Sequence, residues 1–307
     1  MSNNSQLEIG LGHEIAPFSA AYDALIHARP GILASELGGE LSWLGSARER
    51  DAIRWRKEGI PTRKNENWRY LDLSSLHGAQ VRPAPVFPVS QLGEQKRFPK
   101  LSGENAVEIV FLNGHLVHEW SHLWLKQKGV TVHVLSELLA ECVEDGWTDE
   151  RQAKLSAFKA QVENSDADRE NVFAALNTSF MNDAVLISVD PGVEVQAPVA
   201  IYFYTDVAGS ANQPGNDLPI CAPRVFTSLG ANAKLSVLEV HAGLNGRKYL
   251  STGTSDLRVG SGAKLCYSRV QLEGNQGIHI GTTRVHQAQD SFVETQQFSF
   301  GSAVSRQ

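Results

Sequence analysis

The pattern of apolar and polar positions changes character twice along the chain. Residues 18 to 58 read as helical. Ala20 to Ala28 is rich in helix formers, and Pro30-Gly31 stops that run. Ser46, with Glu49 three residues later, has the spacing of a capping box at the start of a second helix, SARERDAIRWRKEG. Gly59 is placed to end it, and Pro61 bars its continuation. Four prolines, Pro83, Pro85, Pro88 and Pro99, then predict an extended linker.

From Ala106 the period shifts to two. Val107, Ile109 and Phe111 alternate with other residues, and Asn113-Gly114 separates them from His115, Leu116 and Val117. An Asn-Gly pair between apolar runs predicts a hairpin, because both residues tolerate positive φ. Residues 134 to 180 return to helical spacing. Beyond Asp183 the pattern is all β. Gly230-Ala-Asn-Ala-Lys-Leu235 resembles Gly260-Ser-Gly-Ala-Lys-Leu265 thirty residues later, and a looser copy begins near Asp290-Ser-Phe292. Tyr249 to Val259 and Ile278 to His286 supply further strand sequence, so each period is expected to hold about two strands. Such units cannot bury an apolar face alone and must stack on their neighbours. A parallel β-helix is the natural reading, with a β-sandwich as the alternative. Leu235 and Leu265 are expected at equivalent inward positions.

Composition narrows the function classes. The 307 residues are 42% hydrophobic and 20% charged, with a formal net charge of −6. That argues against a disordered chain and against a generic basic nucleic-acid surface. The first thirty residues show no secretory signal, and no apolar run approaches the ~18 residues of a membrane span. A cytoplasmic setting, with no nucleic acid and no membrane as partner, is expected. Cys142, Cys221 and Cys266 lie far apart without a CxxC pair, which excludes a zinc ribbon. Cys221 is the most noteworthy, between Pro219 and Pro223 in an expected loop.

Candidate chemistry is sparse. His118-Glu119-Trp120-Ser121-His122 is a literal HExxH. On a helix its histidines would share a face and could bind zinc, with Glu119 activating water and Glu141 near where a third ligand could be sought. The motif directly follows the predicted hairpin, however, so a surface reading is preferred and no stoichiometric zinc is expected. Neither a P-loop nor a Gly-x-Ser-x-Gly elbow occurs. The repeat's acidic residues, Glu239, Asp256, Glu273, Asp290 and Glu294, look dispersed along the sequence. A carbohydrate-active β-helix would rather cluster them.

The segment Gly59-Ile-Pro-Thr-Arg-Lys-Asn-Glu-Asn-Trp-Arg-Tyr-Leu-Asp-Leu73 stands out. Taken by itself it is a helix-to-loop junction in which Trp68 and Tyr70 anchor the helical part to the next. It also resembles a signature of the SufB/SufD family, on its SufD-like side, near the end of the N-terminal helical region. Phe173-Ala-Ala-Leu-Asn-Thr-Ser-Phe-Met-Asn-Asp183 resembles the family's Leu-Asn-x-x-Phe-x-x-Asp entry into the β core. Leu71 stands where Thr is common, and Ala184 where Gly is common. The matched positions are Pro61, Thr62, Arg63, Glu66, Trp68, Tyr70, Asn177, Phe180 and Asp183, with a structural or interface role implied.

The resemblance implies an α+β chain: an N-terminal helical region (1–80), a mixed linker, hairpin and helices (81–182), and a right-handed parallel β-helix (183–307). It implies a non-enzymatic scaffold subunit of a SufBCD complex for iron–sulfur cluster assembly. The partners would be a SufB-like subunit and, through a C-terminal segment, a SufC-like ATPase. No cofactor is expected to be held firmly by this chain. Family members are considerably longer, so the chain is expected to be a fragment that stops inside the β pattern, leaving Phe292, Phe298 and Phe300 uncovered and the protein prone to self-association.

Overall fold

The first named helix, α1 (Ser42–Glu58), begins upstream of the expected cap, and Ser46 lies exposed inside it. Leu44 and Ala47 explain the shift. Both are buried in an apolar cluster with Leu138, Leu155 and Phe158, so tertiary packing extends the helix past its local start signal. The stop falls where the sequence placed it: Gly59 has φ 75°, and its N–H donates to the Trp55 carbonyl at 2.9 Å. These features come from a computed structural model that describes residues 18–23, 42–76, 79–86, 98–122, 127–165, 171–207 and 217–307. Residues 18–23 are helical, whereas the expected stop at Pro30-Gly31, together with Pro88, lies outside the described residues.

The proline-rich stretch is not all linker. Strand β1 (Gln80–Pro83) pairs in parallel with β7 (Asp217–Cys221), at the edge of a sheet where Pro83 need not donate to a ladder. The predicted hairpin is present. β2 (Val107–Leu112) and β3 (His115–Leu116) are antiparallel, and Asn113 and Gly114 take φ of 54° and 81° at the turn. Then come β4 (Val130–Val134), α2 (Leu135–Asp145), α3 (Asp149–Asn164) and α4 (Val172–Phe180). Thr148 caps α3, and Asn171 caps α4 by accepting from the Phe173 and Ala174 amides.

The rest is β5 (Val185–Val189), β6 (Val199–Thr205), β7, β8 (Arg224–Leu229), β9 (Lys234–Gly243), β10 (Tyr249–Ser251), β11 (Thr254–Val259), β12 (Lys264–Glu273), β13 (Gly277–Ile280), β14 (Thr282–Gln287), β15 (Phe292–Gly301) and β16 (Val304–Arg306). The chain is α+β, with three mostly parallel sheets ordered β1-β7-β10-β13-β16, β14-β11-β8-β5-β4 and β15-β12-β9-β6-β2-β3. Parallel pairing replaces the antiparallel ladders that a sandwich would need. Each period of the repeat therefore adds three strands, not two, one to each sheet. The long runs are broken at Gly253 and Gly281, where an added Cβ would meet the His241 ring at 2.9 Å and the Gln307 side chain at 2.1 Å.

Register follows the repeat. Leu235 is paired with Leu265, and Leu265 with Val293. Both leucines are buried in a cluster with Val199, Ile187 and Leu257, each contributing roughly 1.5–3 kcal/mol. A second cluster joins Trp55 and Phe180 of the helices to Leu218, Leu250 and Ile278 of the sheets. Phe292, Phe298 and Phe300 are exposed on β15, as expected.

Candidate functional site

Strand alternation carries the apolar positions 235, 237 and 265 onward to polar ones. Glu239, His241, Arg269, Gln271 and Glu273 occupy the next inward sites of β9 and β12, and all are buried. Burial opposes the charge on Glu239, but the Arg269 guanidinium, 2.7 Å away, together with hydrogen bonds from His241 and Tyr267 holds its carboxyl far below the usual carboxylate range. Ser255 Oγ donates to the second carboxylate oxygen at 2.7 Å. Arg269 remains charged: burial works against it, and the Glu239 charge, the Tyr267 hydroxyl and hydrogen bonds to both together outweigh that.

His241 Nε2 lies 2.6 Å from Glu239 Oε1, and burial lowers the imidazole pKa, favouring the neutral ring. From β13, His279 brings its ring to 4.8 Å from that of His241, measured between centroids. His279 Nδ1 is 3.1 Å from Glu273 Oε2, within ion-pair distance but without hydrogen-bond alignment. His241, Glu273 and His279 offer ligand atoms that all lie within 4.8 Å of one another, and all three are buried. They form the group of three such donors found among the described residues. The carboxylates that look dispersed in the sequence thus divide three ways. Glu239 and Glu273 face this interior. Asp256 is clamped between Arg224 at 2.8 Å and Arg284 at 3.2 Å, and Asp290 and Glu294 are exposed.

The signature residues lie elsewhere and form no single site. Pro61 is buried after α1, and the Thr62 amide and hydroxyl donate to Asn65 Oδ1. Arg63 pairs with Asp72 at 2.9 Å on the surface, and the Glu66 side chain is exposed. Trp68 is buried against Phe173, with ring centroids 5.1 Å apart, and the Arg306 guanidinium lies over its ring at 4.1 Å. Tyr70 does not anchor anything inside: it is 86% exposed, with the Arg69 guanidinium 4.5 Å from its ring. Phe180 packs against Tyr22 and Trp55.

Asn177 and Asp183 make the strongest connections. Asn177 Nδ2 donates to the carbonyls of Pro223 and Thr252, and its Oδ1 accepts from Arg224 at 3.2 Å. One side chain of α4 therefore fastens two successive passes of the β region. Asp183 accepts from the Ser136 amide at 3.0 Å and the Ser136 hydroxyl at 2.5 Å, so it serves the N-terminus of α2 from outside that helix. Burial pushes its carboxyl up to about 6, against the pull of these bonds.

The HExxH segment does not form the helix its zinc chemistry needs. His118–Trp120 is a single 3-10 turn, and His122 lies beyond it in an extended bridge to Glu108. His118 Nδ1 faces Glu137 of α2 at 3.3 Å and His122 Nδ1 faces Glu108 of β2 at 3.3 Å, so the two rings serve different carboxylates. Glu141 pairs with Arg151 at 3.7 Å. Cys221 is not in a loop: it ends β7, buried, and burial pushes its thiol up to about 12. Cys142 is also buried, which raises its thiol pKa. No helix among the described residues is long and apolar enough to cross a membrane.

The described residues combine mostly parallel, in-register sheets with helices tied to them through Asn177 and Asp183. Residues 22–201 match the family model for the SufBD protein N-terminal region, and residues 211–307 match that for the SUF system FeS cluster assembly SufBD core domain. The chain belongs to the SufB/SufD family. It is 22% identical over 284 residues to an iron–sulfur cluster assembly SufBD family protein of Synechocystis, covering 90% of this chain and 55% of that protein. It is 24% identical over 248 residues to protein ABCI7, chloroplastic, of Arabidopsis thaliana, covering 80% and 48%. It is 24% identical over 250 residues to the iron–sulfur cluster assembly protein SufD of Escherichia coli, covering 81% and 51%. The chain spans about half the length of these curated relatives.

Proposed function

We propose that the protein is a non-enzymatic scaffold subunit of a SufBCD-type complex for iron–sulfur cluster assembly, acting in the cytoplasm. The observation that carries this is the side-by-side match of the SufBD N-terminal and core models to residues 22–201 and 211–307. The three parallel sheets are read as a right-handed parallel β-helix beginning near residue 183, to which the N-terminal helices are fastened by Asn177 and Asp183. Pro61, Thr62, Arg63, Glu66, Trp68 and Tyr70 then form the junction between the two parts, with Arg63, Glu66 and Tyr70 facing outward.

The partners are a SufB-like subunit and a SufC-like ATPase. Co-expression of the whole gene product with its SufB-like and SufC-like partners tests the proposal. A complex that co-elutes in size exclusion and acquires a cluster in an anaerobic reconstitution supports it. A product that elutes alone while SufB and SufC associate without it overturns it.

A further inference from the structure

We propose that His241, Glu273 and His279 form a binding site for one divalent first-row transition-metal ion inside the β region. The inference does not rest on the role in cluster assembly, and it departs from the sequence expectation that the chain holds no cofactor firmly.

Three observations carry it. The first is the donor set. Two imidazoles and one carboxylate, on β9, β12 and β13, have ligand atoms within 4.8 Å of one another. A tetrahedral ion with bonds of ~2.1 Å sets its ligands about 3.4 Å apart. The Glu273–His279 pair, at 3.1 Å, is already at that spacing. Two histidines and a carboxylate suit Zn(II), Fe(II) and Co(II), ions of intermediate softness.

The second is unused bonding capacity. His241 and His279 are 1% and 0% exposed, yet His241 Nδ1 and both ring nitrogens of His279 have no hydrogen-bond partner among the described residues. Buried polar atoms are ordinarily paired, and leaving one without a partner is costly. A metal ion would take up the lone pair of His241 Nδ1 and that of one His279 nitrogen, one ligand atom from each ring.

The third is the surrounding shell. Glu239 holds the far nitrogen of His241 at 2.6 Å, the carboxylate–histidine arrangement that orients metal-binding imidazoles. Two carboxylates against one guanidinium leave the interior net negative when both imidazoles are neutral. A hydrogen-bonded chain links Glu273 to the surface: Gln271 donates to Glu273 at 3.4 Å and to Ser302 at 3.0 Å, and it accepts from the exposed Ser305 at 2.7 Å.

The experiment strips the 307-residue protein with a chelator and titrates it anaerobically with Co(II), reading visible absorption and bound metal by mass spectrometry. The expected result is one Co(II) per chain with ligand-field bands of a low-coordinate site. His279→Gln and Glu273→Gln, checked for folding by circular dichroism, should each weaken binding by more than about 100-fold, beyond the effect typical of outer-shell changes. The double variant His118→Ala/His122→Ala should bind as the wild type does. X-ray absorption of the wild-type Co(II) protein supplies a readout that needs no variant: two imidazole nitrogens in the shell support the site, and an oxygen-only shell overturns it. Absence of saturable uptake, or unchanged uptake in a folded His279→Gln protein, overturns it as well.

Discussion

Glu239 and Arg269 sit opposite one another on neighbouring parallel strands, thirty positions apart in the chain, and their side chains meet at 2.7 Å with each 1% exposed. The cross-strand pair repeats the Leu235–Leu265 relationship four positions further along, with charges in place of methyl groups. Taking one member away leaves the other desolvated and unpaired. Arg269→Met should therefore destabilise the protein by about 3–5 kcal/mol, and Arg269→Met with Glu239→Leu should recover much of that loss. Urea unfolding of the single and double variants measures both; equal stability of Arg269→Met and wild type would refute the prediction.

Asn177 makes a comparable demand without charge. Its amide satisfies two buried carbonyls, those of Pro223 and Thr252. Asn177→Ala should cost about 1–3 kcal/mol, chiefly for the Thr252 carbonyl, because the Pro223 carbonyl still accepts from the Thr254 amide at 3.0 Å. Asn177→Asp should cost more, because it turns an acceptor toward both. Denaturant midpoints that rank Asp above Ala would contradict this.

The pH dependence has a sign set by Asp183. Its folded carboxyl titrates at about 6 against an ordinary 3.8, so between these values the folded protein holds a proton that the unfolded chain releases. Its contribution to stability is complete below the unfolded value and is lost as pH rises through the folded one. Glu239 runs the opposite way, since its folded value is depressed: its contribution is present above the ordinary 4.5 and fades as pH falls below it. Asp183→Asn should remove a decline in stability between about pH 4 and 6 while leaving the loss at lower pH in place. Thermal melts across that range, wild type minus variant, isolate the effect.

Gly260 is a corner of the repeat where the backbone of the previous pass comes close. A Cβ there would lie 2.6 Å from the Leu229 carbonyl oxygen and 2.8 Å from the Gly230 carbonyl carbon, neither of which can move aside alone. Gly260→Ala should destabilise by about 1–3 kcal/mol. Gly45→Ala, with nothing within 4 Å and a helical setting, should be neutral or stabilising and serves as the control.

Much of this arrangement is readable in the residues themselves. The Asn113-Gly114 turn, the α1 stop at Gly59 and the thirty-residue register of Leu235 and Leu265 all follow from local conformational preference or exact repetition. The start of α1 does not, because Leu44 and Ala47 answer to partners on α2 and α3 rather than to their neighbours. The interior cluster is hidden for another reason. Glu239 and Glu273 are 34 positions apart in sequence, and only odd-numbered alternation along β9 and β12 turns both inward. Continuing that alternation from Leu235 would have found Glu239 and His241. His279 arrives from a third strand set apart by the unforeseen corner at Gly281, and no spacing within one strand points to it.

Phe298 and Phe300 stand on the outer face of β15, in register with Val270 and Leu272, and they are 47% and 57% exposed. Next to an unpaired strand edge they favour association between copies. Light scattering should show concentration-dependent self-association that Phe298→Ser/Phe300→Ser reduces. A wild-type protein monodisperse at every concentration tested would sink the expectation.

The Arg82–Asp217 ion pair, 2.9 Å long, fastens β1 to β7 across 135 positions of chain. During synthesis, therefore, β1 leaves the ribosome long before its hydrogen-bonding partner exists, and β2 likewise waits for β6. β1 must remain unpaired, and β2 paired only with β3, while the helices that follow collapse, whereas β9, β12 and β15 find a finished template 38, 30 and 28 residues behind, respectively. Closing the early loop is slow and later additions are quick, so the vulnerable interval for a nascent molecule lasts until β6 and β7 have been made.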